Sequence, residues 1–255
     1  MEIKAADVAK LRKMTGAGMM DCKKALIEAE GDYAKAQDII REKGKLVAAD
    51  RSATEGVVVS KIVGGKGYML CLACETDFVA KNSEFSATAN EILEIAVKAD
   101  AADLEALKAV SVEAGRTVAD KVTEKSGQTG EKVELVYYAK IEAPMCVTYI
   151  HTNHKLGVLV GFNKEIAMET AKDVAMQAAA MAPIAIDRGD CDPAVVEKER
   201  EIGREQARLD GKPEAMLDKI AEGKVNKFLT ENTLLNQPLV KHNKISVGAY
   251  IKQAD

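Results

Sequence analysis

The sequence predicts an α+β protein: a three-helix N-terminal bundle, a body of two hairpin-plus-helix units, and a projecting antiparallel helical hairpin. Three observations carry that reading. Apolar residues in the first forty-odd positions recur near a helical period, β-branched alternation in the middle is twice followed by a helical pattern, and two charged stretches near the end each start on a proline.

The N-terminal helices come first. Residues 5–13 carry Val8 and Leu11 and end before Thr15-Gly16-Ala17-Gly18. Residues 19–30 carry Met19, Cys22, Leu26 and Ile27 toward one side, and Gly31 stops them. Asp32 is placed to cap a third helix through Ala36, Ile39 and Ile40 to Gly44. So short a bundle barely buries a core of its own. Residues 44–56 are small and polar with little period, which suits a linker.

Residues 56–63 alternate and are β-branched, Gly64-Gly65-Lys66-Gly67 is turn chemistry, and residues 68–75 form the return strand. Residues 78–98 read as one helix, with Phe85, Ile92, Ile95 and Ala96 available to one face. Shorter helical stretches pass through Leu104, Leu107, Val118 and Val122, and residues 132–142 are another strand. The pattern then recurs: strands at 146–152 and 155–162, then an Ala/Met-rich helix at 165–181. One hairpin with one helix cannot cover both apolar faces, so two such units packed together make sense. Residues 193–209 and 213–229 are the charged helices, each with proline where the missing N–H costs least. Val195, Ile202 and Leu209 lie seven apart, with Leu217, Ile220 and Phe228 as the facing stripe. Pro238-Leu239-Val240 and a short helix from Ser246 close the chain.

Composition narrows the function. Among 255 residues, 36 Lys+Arg against 40 Asp+Glu leave a net −4, the wrong balance for holding a nucleic-acid backbone. Four Phe, six Tyr and no Trp argue against a base-stacking platform. Residues 1–13 are charged and lack an apolar leader core, and no window approaches the ~18 apolar residues of a membrane span. The five cysteines are odd in number and scattered, as reduced thiols of a cytoplasmic protein are. Of the ten methionines, Met168, Met176 and Met181 fall on the Ala-rich helix and are expected in the core.

No phosphate loop, nucleophile elbow or zinc-protease motif is present, so the reading is a non-enzyme without cofactor or metal of its own. Cys71-Leu72-Ala73-Cys74 has metal-like spacing, but residues three apart on a strand diverge and no second pair completes a tetrahedral site. Two segments resist a purely structural reading. In Met14-Thr15-Gly16-Ala17-Gly18-Met19-Met20-Asp21, adjacent methionines lie about 100° apart on a helix, so at least one is partly exposed and available for docking. In Thr76-Asp77-Phe78-Val79, Thr76 or Asp77 caps a helix. Phe78 there is either an anchor folded inward or a wedge projecting from the junction with a carboxylate beside it.

These same segments, LRKMTGAGMMDCKKAL (11–26) and CETDFVAKNSEF (74–85), closely resemble the two signatures of the bacterial elongation factor Ts family, the guanine-nucleotide exchange factors for elongation factor Tu. TYIHTNHKLGVLV, VVEKE, GKPEAMLDKIAEGKVNKF and NQPLV extend the resemblance in order along nearly the whole chain. It implies a ubiquitin-associated-like docking domain at 1–44, a linker at 45–56, core subdomains at 57–143 and 144–186, a coiled-coil module at 187–230, and a return to the second subdomain at 231–255. It assigns docking to Arg12, Met19, Met20, Lys23, His151 and Val240. It puts Thr76, Asp77, Phe78 and Val79 near the partner's bound magnesium. The 151–155 turn has one residue more than the family form, so His154 competes for the histidine role. The resemblance also implies a further strand after the Ser246 helix, past the last residue given, Asp255. A homodimer or a 2:2 complex stays open, as do two alternatives: a scaffold that binds without promoting exchange, and a thiol or metal protein built on Cys71 and Cys74.

Overall fold

Three helices open the chain, within the residues that the computed structural model describes, 3–49, 51–113 and 115–254. They are α1 (Ala5–Thr15), α2 (Met19–Glu28) and α3 (Tyr33–Ala49). Val8 and Leu11, Cys22 and Leu26, and Ala36 and Ile40 are buried together between them. Asp32 does cap α3, accepting from the amides of Ala34 at 2.9 Å and Lys35 at 3.1 Å. The expected linker begins later than its composition suggests. Helix α3 runs past Gly44 to Ala49, Asp50 lies outside the described residues, and the first strand starts at Glu55.

That strand, β1 (Glu55–Val63), pairs antiparallel with β2 (Lys66–Cys74), and β2 pairs antiparallel with β3 (Glu134–Glu142). The order β1-β2-β3 makes β2 central, and a bulge interrupts its pairing with β3 between Cys71 and Leu72. The single helix expected over 78–98 is two, α4 (Asp77–Ala80) and α5 (Ser83–Ala99). The break has a local cause: the Asn82 side chain accepts from the Glu84 amide at 2.8 Å and so starts a new helix. Phe85, Ala89, Ile92, Leu93 and Ala96 then form one face of α5, buried against Val57, Val59, Leu70 and Leu72. Next come α6 (Leu104–Ala109) and α7 (Val118–Thr129).

Helix α7 supplies what the N-terminal bundle lacks, a second surface for α3. The two helices meet at paired glycines. A Cβ on Gly44 would lie 2.2 Å from the Thr123 carbonyl oxygen, and one on Gly127 would lie 2.9 Å from that of Ile40. Gly44 is therefore not a stop signal; its missing side chain lets two backbones touch.

The chain divides into two compact units, one of Met1–Glu142 with Ile150–Gly157, the other of Ala143–Tyr149 with Val158–Asp255. The dividing line passes through the hairpin of β4 (Met145–Ile150) and β5 (Gly157–Phe162), whose tip belongs to the first unit and whose base belongs to the second. The second unit continues with α8 (Met168–Met181), α9 (Pro193–Leu209), α10 (Glu214–Asn232), β6 (Pro238–Leu239), β7 (His242–Ser246) and α11 (Val247–Gln253). Its core joins Val147, Phe162, Ala171, Val174, Leu239 and Val247. Met168, Met176 and Met181 are exposed, against expectation, because Ala171, Val174 and Ala175 occupy the buried side of α8.

Helices α9 and α10 pack antiparallel, as three ion pairs record: Arg200 with Glu222 at 3.2 Å, Arg204 with Asp218 at 2.6 Å, and Arg208 with Glu214 at 3.0 Å. Each step of four along α9 is matched by a step of four back along α10. Exposed pairs add little stability, so their contribution is register. The stripe expected from Val195, Ile202 and Leu209 is exposed; the buried seam instead uses Gly203 and Ala207 with Leu217, Ala221 and Val225. Small residues let these helices approach more closely than leucines would.

Three groups around the first sheet make stability fall in alkali. Burial, aided by the charges of Glu131 and Glu55, pushes the Cys74 thiol up to about 12. Burial and nearby Asp100 raise Tyr68 to about 12, and burial raises Tyr138 to about 12. In the unfolded chain these groups ionise near 8.5 and 10. Their contribution is thus fully present below those values and is lost as pH rises through them toward 12. We expect the urea midpoint to fall steadily above about pH 9, and Cys74→Ala to flatten the first part of that fall. A midpoint independent of pH from 8 to 11 would contradict this.

Candidate functional site

The Thr76–Val79 segment sits where β2 gives way to α4. Beyond Cys74 the ladder to β3 has ended, and the amides of Glu75 and Thr76 need other acceptors. Glu131, just past α7, provides one oxygen for both, at 3.1 Å each, while its other oxygen accepts from the Thr76 hydroxyl at 2.6 Å. The Thr76 hydroxyl in turn accepts from the Val79 amide at 3.4 Å, capping α4. Asp77 is bonded to Lys81 at 2.6 Å, and that ammonium holds its carboxyl below the usual range. Val79 packs against the core. Phe78 does not: it is 84% exposed, so the inward-folded reading of this side chain fails even though the cap forms.

The methionine turn is held by Ala17, buried in the bundle core, and by side chains that reach it from other helices. Gln128 of α7 donates to the Thr15 carbonyl, and Lys43 of α3 pairs with Asp21. Met19 is 45% and Met20 63% exposed, and Arg12 and Lys23 are exposed beside them in sequence. Ile27, expected on the apolar side of α2, is exposed too, since Cys22, Ala25 and Leu26 take the buried face. Met20, Lys23, Lys24 and Ile27 fall at helical spacing, so one outward face of α2 is apolar at both ends and basic between.

The β4–β5 tip lies on the edge of the first sheet. The His154 carbonyl accepts from the Val58 amide at 2.7 Å, and Lys155 pairs with Glu55. Between the tip, β1 and α5 is a cleft of about 520 Å³, lined by Asp77, Lys81, Asn90, Asn153, His154 and Lys155 among others. His154, held at φ 56°, lines this cleft, whereas His151 is exposed on the same turn. Val240, in the second unit, is 61% exposed on a fixed backbone, its amide donating to Gln177 at 2.8 Å. Gln177, itself buried, also donates to Gln237 and to the Pro238 carbonyl.

Sequence reasoning missed Glu131, Gln128 and Lys81. Only Lys81 left a trace, four residues after Asp77 on a helix; the other two act on partners far away in the chain. The thiol alternative finds no support in the geometry. Burial raises both Cys71 and Cys74 away from the thiolate form, none of the five cysteines forms a disulfide, and no group of three or more His, Cys, Asp or Glu converges among the described residues.

Large apolar side chains held outward on hydrogen-bonded backbones are what a protein-binding factor presents. The family described as "Elongation factor TS" matches residues 75–255. Elongation factor Ts of Christiangramia forsetii is 48% identical, the match covering 100% of this chain and 94% of that protein. That of Amoebophilus asiaticus is 48% identical over 98% of this chain and 93% of its own length, and that of Cytophaga hutchinsonii 48% identical over 96% and 91%. The chain belongs to the elongation factor Ts family, the translation elongation factors that serve as guanine-nucleotide exchange factors.

Proposed function

We propose that this chain binds elongation factor Tu carrying GDP and speeds GDP release by disturbing the partner's magnesium and phosphate site, acting in the cytoplasm by binding alone. The observation that carries the proposal is Phe78, solvent-exposed at a capped strand–helix junction beside the Asp77 carboxylate. The α1–α3 bundle corresponds to the family's ubiquitin-associated-like docking domain, and α9–α10 to its coiled-coil module. Arg12, Met19, Met20 and Lys23 anchor the partner's nucleotide-binding domain; the 151–154 turn and Val240 make further contacts.

Exchange is a coupling between two binding events. A nucleotide held at nanomolar affinity is bound by about 12 kcal/mol. A factor that favours the empty partner lowers nucleotide affinity, and the nucleotide lowers the factor's affinity equally. Burying Phe78 contributes about 1.5–3 kcal/mol, too little to expel GDP alone. The wedge therefore acts at a sensitive point, by displacing side chains that position the ion, while several docking surfaces supply the rest.

Release of a fluorescent GDP from elongation factor Tu, with and without this chain, tests the reading. Binding without acceleration would identify a scaffold instead. Met19→Ala or Met20→Ala is expected to raise the half-saturating concentration about 5- to 20-fold and leave the maximal rate near that of the parent, the mark of lost docking. A fallen maximal rate at unchanged half-saturation would refute that assignment.

A further inference from the structure

We propose that Glu131 is a positioning residue for exchange, setting the direction of Phe78 through Thr76. The inference rests on the wedge reading of residues 76–79. Helix α4 has four residues, too few to be stable by its own hydrogen bonds. Phe78 is outside the core, so packing does not orient it either. Val79 and Ala80 seat the helix on the core, and the cap that starts it, just ahead of Phe78, depends on Glu131. By accepting from the Thr76 hydroxyl at 2.6 Å, Glu131 turns that oxygen's lone pairs toward the Val79 amide. By taking the Glu75 and Thr76 amides, it fixes the two peptide groups that lead into the turn. One carboxylate thus receives three hydrogen bonds, all charge-assisted and all at the base of the wedge. Arg51 reinforces the assembly, donating to Glu75 at 3.3 Å and to the Gly130 carbonyl at 3.0 Å.

Three residues earlier, Gln128 grips the Thr15 carbonyl, and a Cβ on Gly16 would meet its amide carbon at 3.0 Å. The end of α7 and the residues just past it therefore hold both the wedge and the methionine turn, each by a separate side chain. Their roles separate in kinetics. A residue that aims Phe78 changes the rate inside the complex, and one that supports Met19 and Met20 changes the affinity of the complex.

Nucleotide release is measured across a range of factor concentrations, using full-length chains and elongation factor Tu loaded with fluorescent GDP. Glu131→Ala is expected to lower the maximal rate about tenfold with half-saturation within about twofold of the parent. Glu131→Gln, which keeps an acceptor for the two amides, should recover part of the rate. Gln128→Ala should raise half-saturation and spare the maximal rate. Hydrogen exchange at the Val79 amide should speed up in Glu131→Ala while the β1–β2 amides stay protected, which separates misdirection from unfolding. If Glu131→Ala does not fold, Glu131→Gln and Thr76→Val carry the test, and both should lower the maximal rate. A parental maximal rate for the Glu131 variants beside a slowed Phe78→Ala overturns the proposal. A parental rate for Phe78→Ala itself overturns the wedge reading beneath it.

Discussion

Phe78→Ala is expected to cut the maximal rate of GDP release about 10- to 100-fold while changing equilibrium docking by less than about threefold. The magnitude follows from the 1.5–3 kcal/mol of an apolar side chain buried only when the partner is engaged, at a tenfold change per ~1.4 kcal/mol. In the free protein the ring contacts almost nothing, so truncating it should leave stability within about 0.5 kcal/mol of the parent. Few substitutions separate the folded state from function so cleanly. Stopped-flow release alongside equilibrium binding decides the matter, and an unchanged release rate would remove the wedge role. A loss of thermal stability in Phe78→Ala would equally count against the outward placement.

Gly44→Val is expected to destabilise the first unit by about 3 kcal/mol or more, the upper range for overpacking. Even the first added carbon would lie 2.2 Å from the Thr123 carbonyl oxygen, a backbone atom in mid-helix that cannot rotate aside. The helices must separate, and with them goes the grip of Gln128 on the methionine turn. Docking should therefore weaken together with the urea midpoint. Gly223→Ala gives the contrast within one protein. That glycine lies in α10 with nothing near its missing side chain, so alanine should stabilise by about 0.5–1 kcal/mol through helix propensity. Equal effects of the two substitutions would show that close approach is not what Gly44 provides.

Much of this architecture was legible because it is local. The proline-started α9, the hairpin β1–β2, and the Asp32 cap all follow from residues within a few positions of one another. The errors fall where distant contacts decide. Gly44 reads as a helix end until α7 is seen against it, and Met168, Met176 and Met181 read as core until smaller residues are seen to fill that side of α8. The break between α4 and α5 was within reach, since Asn82 is a capping residue two positions before Glu84. At the candidate site, the residue types at 19–20 and 76–79 singled themselves out. Whether Phe78 turns inward was beyond the sequence, because a hydrogen bond from Thr76 to Glu131, fifty-five positions away, stands behind the cap that governs it.

The contact of the hairpin tip with β1 also bears on how the chain can be divided. Strand β1 is an outer strand of its sheet, and an unpaired outer strand is a template for pairing with another molecule. Val57, Val58 and Val59 make this one apolar, and the His154 carbonyl occupies the Val58 amide in their midst. A fragment ending at Glu142 would keep the whole sheet and the segments at 19–20 and 76–79 but lose that cover. It should aggregate through β1 more readily than the intact protein, because the first unit gains this cover on β1 only once residues 150–157 have been made.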